Sequence, residues 1–275
     1  METVLAVQDL TKVYGKGCRR CLVDTGPKAE SNLCPHCNCV VALNRVSFTL
    51  DRGEILGIMG ESGSGKSTLL KLLYMAEPVT SGTAKWFGEE EVDLLSLNPR
   101  EARRFRDKHF GVVHQNPMLG LNFRITAGGN VAERLLASGN YNYQNIRQRA
   151  LSLLERTNVP AYWMDQLPTK FSGGMQQRVQ IAKALATEPP LLLLDEVTTG
   201  LDLSVQARIL DLILDLHQQY RLSMIIVTHD IGVVRLLASQ TLVMRHGQVV
   251  ESGLTDQILE DPHHPYTQEL ISAAL

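Results

Sequence analysis

Gly60, Glu61, Ser62, Gly63, Ser64, Gly65, Lys66, Ser67 and Thr68 form a glycine-rich run, with the apolar stretch Ile55 to Met59 before it and Leu69, Leu70, Leu72 and Leu73 at helical spacing after it. Strand, tight turn and helix in that order make a phosphate loop. Glycines let the backbone fold its N–H groups around a β-phosphate, and the helix start adds positive potential. Lys66 then reaches the β and γ oxygens, and Ser67 is placed to ligate magnesium. A plain Gly/Ser turn would account for the loop but not for its flanks. The loop alone does not choose between a kinase, a GTPase and a motor.

Residues further along do choose. Leu191 to Leu194 is a short apolar run ending in Asp195 and Glu196, which reads as a buried parallel strand delivering two carboxylates at its C-terminal end. Asp195 can hold the magnesium shell while Glu196 polarises an attacking water; the alternative for such a pair is a helix cap. Gly200-Leu201-Asp202 follows, then Met224 to Thr228 and His229. Upstream, Phe171-Ser172-Gly173-Gly174-Met175-Gln176 places a serine and two glycines at a helix start, leaving backbone N–H groups bare for an anion.

This ordered set resembles the ATP-binding cassette (ABC) ATPases over nearly the whole chain, apart from one insert. The resemblance implies an α/β P-loop ATPase fold with an antiparallel β subdomain, a parallel-sheet core and a helical subdomain. It makes Gly60 to Thr68 Walker A, Gln115 the Q-loop, Phe171 to Gln176 the signature, Asp195 and Glu196 Walker B, Asp202 the D-loop and His229 the switch. ATP and Mg2+ are the implied cofactors, with Ser67, Gln115 and Asp195 around the metal. Gln115 would sense magnesium and the water, and His229 would contact the γ-phosphate. Glu196, His229, Gln115 and Lys66 are the catalytic set. Tyr14 stands where the family stacks an aromatic on adenine; a plain strand residue is the alternative. Two cassettes pack head to tail in this family, so Ser172, Gly173, Gly174, Met175, Gln176 and Asp202 would act in trans on the nucleotide of a second cassette, identical or related. Met175 departs from the usual signature Gln, and Val197 from the usual Pro after the Walker B glutamate. Neither removes a group that hydrolysis needs.

One cassette accounts for 275 residues, with a helical subdomain expected over 100–170. With 27 basic and 29 acidic side chains the net charge is −2, so no global field draws the chain to DNA or an anionic membrane. No apolar run approaches the about 18 residues of a membrane span, and the N-terminus has no signal-like segment. A cytoplasmic chain is expected, soluble or docked on a partner. Arg100, Arg103, Arg104, Arg106 and Lys108 crowd before the Q-loop, as a solvated helix face or a partner surface. Alternation in Val4 to Leu10 and Val40 to Leu50 predicts antiparallel strands, extended by Gly82 to Phe87. Helices are expected over Gln144 to Thr157 and Leu203 to Tyr220, and a strand over Met224 to Val227.

All five cysteines fall within 15–40: Cys18-x2-Cys21, Cys34-x2-Cys37, and Cys39 close by. This is zinc-ribbon spacing, in which two short turns bring four thiolates around one tetrahedral ion, and Cys39 is a substitute ligand. A small loop with few apolar residues gains its order from a structural metal. An Fe–S cluster, a disulfide framework and chance remain alternatives, although a cytoplasmic ATPase works among reduced thiols. The insert lies at the turn of the first hairpin and is expected to present a docking surface.

Gly111 to Pro117, Ala127 to Leu135, Val249 to Asp256 and Asp261 to Thr267 resemble a narrower group, the ATP-binding subunits of carbon-phosphorus lyase systems. Membership implies docking on lyase core subunits that degrade phosphonates, with ATP turnover remodelling that core and the radical cleavage left to another subunit. Pro262 to Thr267 also resembles the tail of peptide- and nickel-importer ATPases, whose partners are membrane permease subunits. A zinc-containing DNA-repair cassette is a third reading, disfavoured by the net charge and the single cassette.

Overall fold

The computed structural model describes residues 2–88 and 90–273. In chain order its strands are β1 (Thr3–Tyr14), β2 (Val40–Asp51), β3 (Ile55–Met59), β4 (Ser81–Phe87), β5 (Glu91–Asp93), β6 (Phe110–Val113), β7 (Leu191–Asp195), β8 (Ser223–Val227), β9 (Gln240–Arg245) and β10 (Gln248–Leu254). The helices are α1 (Lys66–Leu73), α2 (Pro99–His109), α3 (Pro117–Gly120), α4 (Ala127–Ala137), α5 (Tyr143–Arg156), α6 (Gly173–Ala184), α7 (Leu203–Tyr220), α8 (Ile231–Leu237), α9 (Thr255–Glu260) and α10 (Pro265–Ser272). Two compact units result, one of residues 1–98 with 225–275, the other Pro99–Met224.

In the first unit, β2, β1, β4 and β5 make an antiparallel sheet in that order. Alternating apolar residues turn Leu5, Val7, Leu43, Val46 and Leu50 inward, where each is at most 3% exposed. Burying a side chain of this size stabilises by about 1.5–3 kcal/mol, which fixes the register. Register shifts interrupt β1 between Val7 and Leu10, where Asp9 adopts φ 49°. The cysteine insert is the excursion between β1 and β2. β3 is buried at every position and pairs in parallel with β9, which β10 joins antiparallel.

The second unit holds the helices expected over 100–170, and it continues through α6, β7 and α7. β6 and β7 pair in parallel, from Phe110 opposite Leu191 to Val113 opposite Leu194. α4, α5 and α6 pack on one another. Arg134 of α4 pins β6 by donating to the Phe110 carbonyl at 2.7 Å while it pairs with Asp107 at 3.0 Å. Buried Asn130 closes the 116–126 loop: it accepts from Asn122 N–H at 2.7 Å and donates to the Asn122 and Thr126 carbonyls. No helix of the described residues is long and apolar enough to cross a membrane.

Candidate nucleotide and metal sites

β3 delivers the chain to Gly60, whose φ of +147° and closeness to the Met244 carbonyl leave no room for a Cβ. Gly65, at φ +108°, stands at the N-cap of α1, where a Cβ would lie 2.4 Å from the Ala42 carbonyl oxygen. Lys66, 5% exposed, spans the loop: its Nζ donates to the carbonyls of Gly60 at 2.7 Å and Glu61 at 2.8 Å. Ser67 and Thr68 follow in the first turn of α1, Ser67 exposed. The Ser62–Gly63 tip is also exposed.

Two neighbours of this loop were not legible in its spacing. Tyr266 of α10 accepts from the Glu61 N–H through its hydroxyl at 3.0 Å, and Arg245 stacks its guanidinium 4.7 Å from the same ring. Tyr14 donates its hydroxyl to Glu77 at 2.6 Å, while Lys12 Nζ lies 4.8 Å from the Tyr14 ring centroid. The Tyr14 hydroxyl, then Lys71 and Lys12, hold the Glu77 carboxyl below its ordinary range against the effect of burial. His229 is exposed just after β8; Thr228 N–H bonds the Ile58 carbonyl at 3.1 Å, and Asp230 caps α8 through Gly232 N–H at 2.8 Å.

In the second unit the parallel pairing of β6 and β7 brings their following residues together. Gln115 Nε2 donates to Glu196 Oε2 at 2.9 Å, and Thr199 Oγ1 donates to the same oxygen at 3.3 Å. Glu196 has φ 45°, a left-handed conformation uncommon for a residue with a Cβ, and one that gathers at functional sites. Asp195 ends β7, half-buried. Val197, at 3% exposure, fills an apolar position where the family proline would stand. Asp202 is exposed at the start of α7.

Ser172 caps α6 by accepting from Met175 N–H at 3.4 Å. The two glycines after it differ. A Cβ on Gly174 would lie 2.5 Å from Val205 Cγ1, so packing against α7 requires its absence, whereas Gly173 is exposed and would meet only Leu201 at 3.4 Å. Gln176 commits its amide to the Pro168 and Phe171 carbonyls at 3.1 and 3.2 Å. Deeper in α6, Gln180 accepts from His114 N–H at 3.0 Å and donates to the His114 carbonyl at 3.1 Å. The signature helix and the residue before Gln115 are thus tied together, through a glutamine that no motif marks.

A family model for ABC transporters matches residues 43–199. The chain belongs to that family. It is an ATP-hydrolysing cassette, of a kind that uses ATP with Mg2+ and acts as a dimer. The putative phosphonates utilization ATP-binding protein PhnK of Escherichia coli K12 is 53% identical over 84% of this chain and 90% of its own length. The oligopeptide transport ATP-binding protein OppD of Bacillus subtilis is 42% identical over 85% of this chain and 66% of its own. Dipeptide transport protein DppF of E. coli is 41% identical over 85% and 69%. Among solved structures, the dimeric post-hydrolysis state of the cassette MJ0796 with ADP and Pi superposes with a TM-score of 0.76, at 28% identity, covering 91% of this chain and 98% of that one.

The insert between β1 and β2 carries a second side-chain cluster. The Sγ atoms of Cys18, Cys21, Cys34 and Cys37 all lie within 4.8 Å of one another. Cys18–Cys34, Cys18–Cys21 and Cys21–Cys37 stand at 3.7, 3.6 and 3.4 Å. Four thiolates at about 2.3 Å from one tetrahedral zinc would be about 3.8 Å apart, so the quartet fits a single ion. A cluster placed among the sulfurs would spread them wider. Burial opposes ionisation of the Cys34 thiol, yet the N–H groups of His36 and Cys37 and the adjoining Cys37 and Cys18 sulfurs bring it down to about 6. Cys39 stands outside the quartet, where its Sγ accepts from Gly17 N–H at 3.3 Å.

Proposed function

We propose that this cassette is the ATP-hydrolysing subunit of a carbon-phosphorus lyase system, binding and splitting ATP to remodel a phosphonate-degrading core. The observation that carries the reading is the 53% identity to PhnK across 90% of that protein, against 42% and 41% over 66% and 69% of the peptide-transport proteins. Lys66, Ser67, Gln115, Asp195, Glu196 and His229 take the nucleotide, magnesium and water, with Glu196 accepting the proton of the attacking water. Tyr14 offers a ring face to adenine. Ser172, Gly173, Gly174 and Asp202 address the nucleotide of a second cassette; Met175 and Gln176 complete that turn. Positioning and charge, rather than covalent chemistry, supply the acceleration.

Cys18, Cys21, Cys34 and Cys37 hold zinc in a structural role. The partner docks beside the Q-loop, where Met118 and Leu119 of α3 are 71% and 73% exposed and Arg103 and Arg104 of α2 are exposed. A peptide-importer ATPase is the second reading, favoured by the 42% identity to OppD, and it places a permease at the same surface. Affinity capture from cells grown on a phosphonate as phosphorus source separates the two. Recovery with phosphonate-degrading proteins is expected, and recovery with permease subunits alone overturns the choice.

A further inference from the structure

The buried centre of the insert is Cys21, Cys34 and Val41, with Val13, Leu22, Cys37 and Cys39 packed around it. No large side chain anchors the limb 26–32, whose flanks are held by Cys21 and Cys34. That limb nevertheless reaches the phosphate loop. Asn32 donates its Nδ2 to the Gly63 carbonyl at 3.4 Å, and its own carbonyl accepts from Val41 N–H at 2.7 Å. Leu22, next to Cys21, accepts from Asn44 Nδ2 at 2.9 Å; Asn44 N–H donates to Gly247, and Gly247 N–H donates to the Ser64 carbonyl, at 2.8 and 2.9 Å. Glu30 pairs with Arg245 at 3.9 Å, and Arg245 lies over the Tyr266 ring whose hydroxyl takes the Glu61 N–H. Glu30 is exposed, so its pair alone contributes little. Together, however, these paths end on Glu61, Gly63 and Ser64, within the loop that wraps the phosphates.

The geometry points to a metal-dependent phosphate loop: an ion held by Cys18, Cys21, Cys34 and Cys37 orders the insert, and the insert holds Glu61, Gly63 and Ser64 in their nucleotide-binding shape. This rests on the zinc reading above and is independent of the lyase assignment. The thiols share no carbon framework with the nucleotide, so the coupling is conformational. Loss of the ion frees the limb 26–32 and with it the carbonyls that Asn32 and Asn44 fix.

The test compares the full-length protein as purified, after stripping with a thiol-blocking mercurial and chelator followed by reductant, and after return of Zn2+. Metal content is measured by mass spectrometry and Mg·ATP affinity with a fluorescent ATP analogue. Couplings between sites commonly amount to about 5- to 150-fold, so stripping should weaken ATP binding by at least about fivefold and Zn2+ should restore it. Circular dichroism follows the fold of the stripped chain. Should it unfold, the decision passes to Glu30→Ala with Asn32→Ala, which should keep the zinc yet weaken ATP in the same direction. ATP affinity unchanged by stripping, or unchanged in a double variant that retains zinc where the stripped chain unfolds, overturns the inference and leaves the zinc reading intact. A freshly purified, reduced protein holding no metal overturns both.

Discussion

Gln115 Nε2 lies 2.9 Å from Glu196 Oε2, so the second residue after β6 and the first after β7 are hydrogen-bonded although 81 positions separate them in the chain. The bond, with that from Thr199, orients a carboxylate whose backbone is already in the left-handed region.

Glu196→Gln should keep ATP binding and lower kcat by about 10²- to 10⁴-fold, the range for loss of a positioned general base. Single-turnover hydrolysis measured beside equilibrium nucleotide binding checks it. Unchanged hydrolysis would remove Glu196 from that role.

Gly173 and Gly174 should separate stability from chemistry. Gly174→Ala drives a Cβ toward Val205 and should cost about 1–3 kcal/mol, seen as a lower Tm that Val205→Ala recovers. Gly173→Ala has room, so its Tm should hold while ATPase activity falls through the partner site.

Tyr266→Phe removes the acceptor of the Glu61 N–H. The loss of one hydrogen bond, about 1 kcal/mol, corresponds to roughly fivefold weaker Mg·ATP binding. Titration with a fluorescent ATP analogue reads it, and an unchanged Kd would show that the tail does not steady the loop.

Gln180→Leu removes the acceptor of the His114 N–H and one of the two amide donors to its carbonyl, the other being Gln177 at 3.4 Å, in a site where Gln180 is 1% exposed. An unsatisfied buried N–H costs about 1–3 kcal/mol, so chemical denaturation should show a loss of that size, with a lower kcat as Gln115 loosens. Equal stability would mean that water replaces the amide.

The phosphate loop, β7 with its carboxylates and the start of α6 were readable because each is local: spacing, burial period and cap all fall within a few residues. α7 occupies the expected Leu203–Tyr220, and β1 and β2 pair antiparallel as alternation predicted. The cysteine quartet was readable from two short repeats. Long-range contacts were not. Tyr266 meets Glu61 across 205 positions, and its motif pointed to a family tail rather than to a hydrogen bond. Gln180 carries no pattern of its own, and the distinct roles of Gly173 and Gly174 depend on Val205, which arrives only with α7. Asn130 and Arg134, read as part of a group resemblance, prove to close a loop and pin β6.

Sedimentation of the Glu196→Gln protein with and without Mg·ATP tests the central claim most directly, that two cassettes close over nucleotide. The account predicts a monomer that becomes a dimer with ATP and returns when ATP is removed. A protein that binds ATP yet sediments identically in both conditions, at concentrations well above its nucleotide Kd, would contradict it.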